Sequence, residues 1–285
     1  MVFNTNILAG SGGQGDDAFS PVGLQIKNSS SDQNNYLHFL ASVNATVSSP
    51  FSLKAPNGKK MSLVIWFYPT ENYAKNMHIM GSGAGTDPQN LAVPYTFFVR
   101  TDDGPPASTI NLLWQKAAGG FGINTAEPVF VANEWNCMMI SFNTSISDKS
   151  IRWYRNDADQ GATNANDAVY RFGGGAGESR QFVVASKGIN QQAFGGALAE
   201  IYYAPNQFID FDVESNRRLF LNADGTPVDL GADGSTPTGI QPMLYLSLRE
   251  GEGADQFAVN RGFGADLSVV GNVSIFADAV SCSIA

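Results

Sequence analysis

Charge is scarce in this sequence: Asp, Glu, Lys and Arg together make up 15% of its 285 residues. A solvent-covered monomer normally carries more, so much of the surface is expected to lie against neighbours. Basic residues are scarcer still, with 17 Lys and Arg against 26 Asp and Glu and a net charge of −9. That balance excludes non-specific nucleic-acid binding, which needs cations to neutralise phosphates. Cysteine is nearly absent. Cys137 and Cys282 lie far apart and show no metal-ligand spacing. Cys137 falls in a strand-like run and reads as a buried free thiol. His38 and His78 are isolated, and no HExxH pattern occurs. No apolar run reaches the length of a membrane span. Met1–Gly10 lacks the basic start and long apolar stretch of a signal peptide, so none is expected.

Cofactor signals are missing too. The glycine loop Gly81–Pro88 has no Lys-Ser/Thr, and no helical pattern follows it, so it is not a phosphate cradle. Asp102 and Asp103 could ligate Ca²⁺, but two acids in Asp102-Asp-Gly-Pro-Pro106 fit turn chemistry. We expect no metal and no cofactor. Acceptor triplets for N-glycosylation begin at Asn28, Asn44, Asn143 and Asn272. Without an export signal they read as chance in an Asn/Ser-rich chain.

What the chain does have is glycine (30), phenylalanine (19) and 43% hydrophobic residues. These are distributed as short strand-like runs between turn signals. Val22, Leu24 and Ile26 alternate with polar residues, and Tyr36–Phe39 and Phe51–Leu53 follow. Met61-Ser-Leu-Val-Ile-Trp-Phe-Tyr68 is almost wholly apolar and stops at Pro69, the pattern of a central strand covered on both faces. Further runs are Met77–Met80, Tyr95–Val99, Thr109–Trp114, Glu134–Phe142 and Ile151–Arg155, the last ended by Asn156-Asp-Ala-Asp159. Ala168–Phe172, Gln181–Ala185, Ile240–Leu248, Asp266–Val270 and Asn272–Phe276 continue the series. Many short strands with regular turns predict an all-β, two-sheet antiparallel sandwich. Trp66, Phe67, Ile140, Phe142 and Ile201 stand in the most continuous apolar runs and are expected in its core.

The stretch from Phe194 to Leu230 breaks this rhythm. Phe194–Pro205 is strand-like and stops at a proline. Asp210-Phe-Asp-Val-Glu-Ser-Asn-Arg-Arg-Leu-Phe-Leu221 then predicts one short helix near 212–222, with Asp212 as N-cap and Glu214–Arg218 as an i,i+4 pair. Asp210, Asp212 and Glu214 also carry a competing reading. On a strand these alternate positions share one face, where carboxylates could supply a nucleophile and a general acid for glycoside hydrolysis. The spacing resembles the acidic strand motif of laminarinase-type glycoside hydrolases, although Asp210 stands where that motif has Glu. On a helix start the three acids would not converge, and we expect them to serve structure with no catalytic residue in the chain.

Several motifs occur in an order that resembles the concanavalin A-like, or laminin-G-like, jelly-roll family. They are Asn35-Tyr-Leu-His-Phe39, Met61–Pro69, the hairpin opened by Glu134-Trp-Asn-Cys137 and closed near Asn156-Asp157, and Phe194-Gly-Gly-Ala-Leu-Ala-Glu-Ile-Tyr-Tyr203. The resemblance covers roughly residues 22–222, and the family's calcium site is not recognisable. Asn222–Pro237 is similar to segments of tailed-phage virion proteins that carry this jelly roll. The organisation expected is a flexible N-terminal arm (1–20), a sandwich (21–239) and C-terminal strands (240–285). The last would either complete the sheet or make contacts between chains. The resemblance implies a structural protein on the exterior of a phage particle, as capsid decoration or tail or fibre component, assembled in the host bacterial cytoplasm. Its partners would be other virion proteins, further copies of itself and a host-surface glycan, with no nucleic acid and no membrane insertion. The alternative is a carbohydrate-binding module or a glycoside hydrolase using Asp210, Asp212 and Glu214.

Overall fold

A computed structural model describes residues 19–27, 36–40, 59–70, 78–84, 95–101, 110–116, 121–126, 130–146, 151–163, 170–171, 180–185, 194–205 and 207–284. Nearly all of the expected N-terminal arm, the expected strand at 51–53 and the acidic turn at 102–106 lie outside them. The strands run in order β1 (Gly23–Ile26), β2 (Tyr36–Leu40), β3 (Lys60–Pro69), β4 (His78–Ala84), β5 (Tyr95–Thr101) and β6 (Ile110–Lys116). Next come β7 (Phe121–Ala126), β8 (Asn136–Asn143), β9 (Ile151–Arg155), β10 (Ala158–Thr163), β11 (Tyr170–Arg171) and β12 (Arg180–Val184). After β13 (Gly196–Pro205) comes a one-turn helix, α1 (Glu214–Arg217). The chain closes with β14 (Leu244–Leu246), β15 (Ser268–Val270) and β16 (Val273–Phe276).

The strands pair into two antiparallel sheets, as the apolar pattern predicts. One has the order β10-β9-β8-β3-β13-β1-β16, with β14 also on β13. The other has the order β11-β6-β5-β4-β12-β2-β15, with β7 also on β6. Strand β3 shows why its sequence is almost wholly apolar. Leu63, Ile65 and Phe67 face the core between the sheets, while Val64 and Trp66 face a second cluster on the outer side. The five side chains expected in the core are all within 1% exposure. Asn156 (φ 49°) and Asp157 (φ 72°) make the left-handed two-residue turn that suits the twist of hairpin β9–β10. The Asn156 side chain also accepts from Cys137 N at 2.8 Å, fixing the turn to β8.

The second cluster exists because residues after β13 fold back over the first sheet. Ile209, Phe211, Phe220, Leu221, Leu230 and Cys282 bury its outer face. The C-terminal strands pair within the chain: β14 on β13, β15 on β2 and β16 on β1. One expectation needs correction here. Strand β4 extends through Gly81–Ala84, where a loop was expected, because small residues leave room for pairing on both sides with β5 and β12. The one short helix expected near 212–222 is present and takes up four residues of that stretch, Glu214–Arg217. Among the described residues, no helix is long and apolar enough to cross a membrane.

Candidate functional site

The acids at 210–214 are placed on neither a strand nor a helix cap. Val213 occupies the N-cap position of α1 and no side chain caps it, so the capping role expected of Asp212 is not taken up. Asp212 has a stronger partner. Arg152 Nε, on β9, lies 3.0 Å from Asp212 Oδ2 and 3.0 Å from Asp210 Oδ1. Tyr154 OH donates to Asp212 Oδ1 at 3.1 Å. Two of the three acids therefore converge after all, on a guanidinium. Glu214 turns away to Arg218, 3.2 Å distant, in the i,i+4 pair that the sequence predicts. The Arg152 N–H is not well aligned with either oxygen, so the contact is Coulombic more than a formed hydrogen bond. Arg152 is 8% exposed and also lies 5.2 Å from the Phe208 ring centroid. Arg217 and Arg218 both bind Asp157 at 2.5 Å, and Arg217 stacks 4.4 Å over Tyr154. This network fastens the 207–221 segment to hairpin β9–β10. Arg152 lies 3.0 Å from a carboxylate oxygen of each acid, so the arrangement ties the segment after β13 to β9.

A second polar cluster is buried in the sheet itself. Strand β13 changes register against β3 between Ala199 and Tyr202, and Glu200 is the extra residue of that bulge, with φ 41°. Leu198 and Ile201 then face the inner core while Ala199 and Tyr202 face outward. The Glu200 carboxylate is 3% exposed. It accepts from Tyr245 OH at 2.9 Å and from Ser247 Oγ at 2.5 Å, with Arg249 at 4.0 Å. Burial raises its pKa from 4.5 to about 7, against the opposing pull of Arg249 and the two hydroxyls. Arg249 continues outward to Asp229 at 3.1 Å and to Tyr245 OH at 3.0 Å. The two cysteines lie in the same outer cluster as free thiols. Burial pushes Cys137 well above its ordinary pKa and Cys282 up to about 11, so both are poor nucleophiles. Among the described residues, no three His, Cys, Asp or Glu side chains gather as metal ligands.

A cleft of about 560 Å³ opens where the start of the described chain meets its end. Phe19 and Pro21 line it, together with Asn222 and Thr226 from the turn after α1. Glu250 and the β16 residues Ile275 and Phe276, followed by Asp278, complete it. Residues 19–22 are strapped across the sheet edge: Val22 N donates to Leu248 O at 2.9 Å and Glu250 N to Ser20 O at 3.1 Å. Strand β16 pairs with β1 through Ile275–Leu24 and Phe276–Gly23, leaving Ile275 42% exposed. Phe276 is braced by Tyr68, centroids 4.7 Å apart, and by Trp135 at 5.7 Å. Gly23 is required beneath them, because a Cβ there would lie 2.7 Å from the Trp135 ring. Asn222 donates to Thr226 Oγ1 at 3.1 Å and to Pro227 O at 3.0 Å, which fixes its side chain at the rim. Reading the sequence missed this site. Its residues come from four separated segments, and no local pattern marks them.

No protein-family model matches the chain. No curated protein matches it in sequence. Among solved structures it is similar to the native heptameric SAP-like pentraxin from Limulus polyphemus, at 11% identity and TM-score 0.52, over 93% of this chain and 98% of that one. It is also similar to a candidate carbohydrate binding protein from Bacteroides ovatus ATCC 8483, at 13% identity and TM-score 0.54, over 94% of this chain and 62% of that one. The full-length tailspike protein 2 of Escherichia coli O157:H7 bacteriophage CAB120 aligns at 15% identity and TM-score 0.40, over 73% of this chain and 28% of that one, too weakly to carry an argument. At such identities the first two likenesses bear on architecture alone, and that architecture is the two-sheet antiparallel sandwich of the concanavalin A-like jelly roll.

Proposed function

We propose that this chain is a non-enzymatic glycan-binding protein on the exterior of a bacteriophage particle, as capsid decoration or as part of the tail or its fibres. The observation that carries the binding reading is the open cleft at Phe19, Asn222 and Phe276. Its volume falls within the range of about 300–1,000 Å³ usual for ligand sites, and its lining combines apolar faces with a few polar groups. A similar fold in the Bacteroides ovatus protein, a candidate carbohydrate binder, supports the same class of ligand. The non-enzymatic reading is supported by Arg152, whose single positive charge lies 3.0 Å from a carboxylate oxygen of both Asp210 and Asp212.

The virion setting rests on the composition and on the likeness of Asn222–Pro237 to phage segments. A free carbohydrate-binding module would use the same cleft and differ only in where it acts. Two experiments separate these outcomes. Binding of the purified chain to a glycan array tests the ligand class, and retention of no glycan would remove the binding reading. Quantitative proteomics of purified phage particles tests the setting. A fixed copy number per particle supports it, and absence from particles leaves a free module.

A further inference from the structure

The cleft carries charge of one sign. Glu250 and Asp278 are the charged residues that line it, and among the described residues no Lys or Arg does. Arg249 lies close by, 4.1 Å over the Phe19 ring, but its guanidinium is already engaged by Asp229 and Tyr245. Beside the two acids stand the amide of Asn222 and the hydroxyl of Thr226, with Ile275 and Phe276 as the apolar wall.

We infer that this cleft selects an uncharged pyranose and discriminates against sialylated and other anionic sugars. The inference rests on the glycan-binding reading above and names the class of sugar. A carboxylate accepts hydrogen bonds from sugar hydroxyls, and such charge-assisted bonds are roughly twice as strong as neutral ones. The C–H face of a pyranose packs against an apolar wall, here Phe276 and exposed Ile275. An anionic sugar would bring its own carboxylate against two more and against a chain of net charge −9. The selectivity is thus built partly from repulsion of the wrong ligand.

The test is isothermal titration of the full chain with neutral oligosaccharides and with the same cores bearing a terminal sialic acid. The wild type is expected to bind a neutral core and to bind its sialylated form at least about tenfold more weakly. The double substitution E250Q/D278N removes both charges at exposed positions and keeps the shape. It is expected to weaken neutral binding roughly tenfold and to erase the discrimination. Ile275→Ser, a second exposed variant, is expected to weaken both ligands alike, and circular dichroism checks that each variant is folded. Equal or tighter binding of the sialylated form by the wild type overturns the inference and leaves glycan binding intact. So does a discrimination that survives E250Q/D278N. If the wild type binds neither class, the proposed function falls and the inference with it.

Discussion

Glu200 meets opposing forces that can be measured. Its carboxyl has a pKa of about 7 in the folded chain against an ordinary 4.5, because burial penalises the charged form. Between those values the folded state holds a proton that the unfolded state has released. Its contribution to stability is therefore full below about pH 4.5 and lost as pH rises through about 7. The difference amounts to about 3 kcal/mol as an order of magnitude. Asp224, Asp233 and Glu252 act oppositely. Their pKa values are lowered, Asp224 and Asp233 by hydrogen bonds from Thr226 and Ser235, and Glu252 by Arg261 and Arg249 against a burial effect that raises it. They withdraw stability as pH falls through the acid range. Urea unfolding between pH 5 and pH 8 should thus show the midpoint falling as pH rises, and Glu200→Gln should flatten that slope. A slope unchanged by the substitution would remove Glu200 as its source.

Arg152 supplies a second test at the same scale. Removing it leaves Asp210 and Asp212 facing each other without a cation, and Arg152→Ala should destabilise by about 2 kcal/mol, discounted for the partial exposure of both acids. Asp212→Ala should cost about 1 kcal/mol, through its lost contacts with Arg152 and Tyr154 and not through a lost cap. Chemical denaturation of both variants reads these values directly. Asp210 and Asp212 are held by Arg152 and not by the helix cap expected of Asp212. Arg152 is separated from Asp210 by 58 positions in the chain, and local capping rules contain no information about it.

Among the elements, strand β3 was legible because the six consecutive apolar or aromatic positions Leu63–Tyr68 have only one economical arrangement, burial on both faces. The Asn156–Asp157 turn was legible for a similar reason, since these residues tolerate positive φ. Strands β7 and β10 were not anticipated. Phe121-Gly-Ile-Asn-Thr-Ala126 and Ala158-Asp-Gln-Gly-Ala-Thr163 have little apolar content, and partners supply their ladders. The cover over the outer face was not legible, because Ile209, Phe211, Phe220, Leu221, Leu230 and Cys282 come from separated positions with no shared periodicity. Its attachment depends on Gly225, at φ 84°, whose carbonyl accepts from Cys282 N at 2.8 Å. A Cβ on Gly225 would lie 2.0 Å from Cys282 O. Gly225→Ala should therefore destabilise by more than about 1 kcal/mol and loosen the 280–284 segment. Faster reaction of Cys282 with an aromatic disulfide reagent, with the rest of the fold retained, is the expected readout.

Over the whole molecule, the two ends of the described chain meet in one place. Residues 19–22 and 275–280 build a cleft that neither segment forms alone. The C-terminal strands, expected either to complete the sheet or to make contacts between chains, pair with β13, β2 and β1 of their own chain. Deleting residues 1–18 should leave glycan affinity within about twofold, because the described lining from Phe19 to Val280 stays in place. Titration of the shortened chain checks this, and a large loss would place part of the site in the removed segment. The measurement that bears most directly on binding without cleavage follows one glycan through both events. The chain is titrated with an oligosaccharide that it retains, and the mixture is then assayed for new reducing ends over many hours. Saturable binding with the glycan recovered intact is the predicted result. Steady release of reducing ends by the wild type, lost in Asp212→Asn, would contradict the account at its centre.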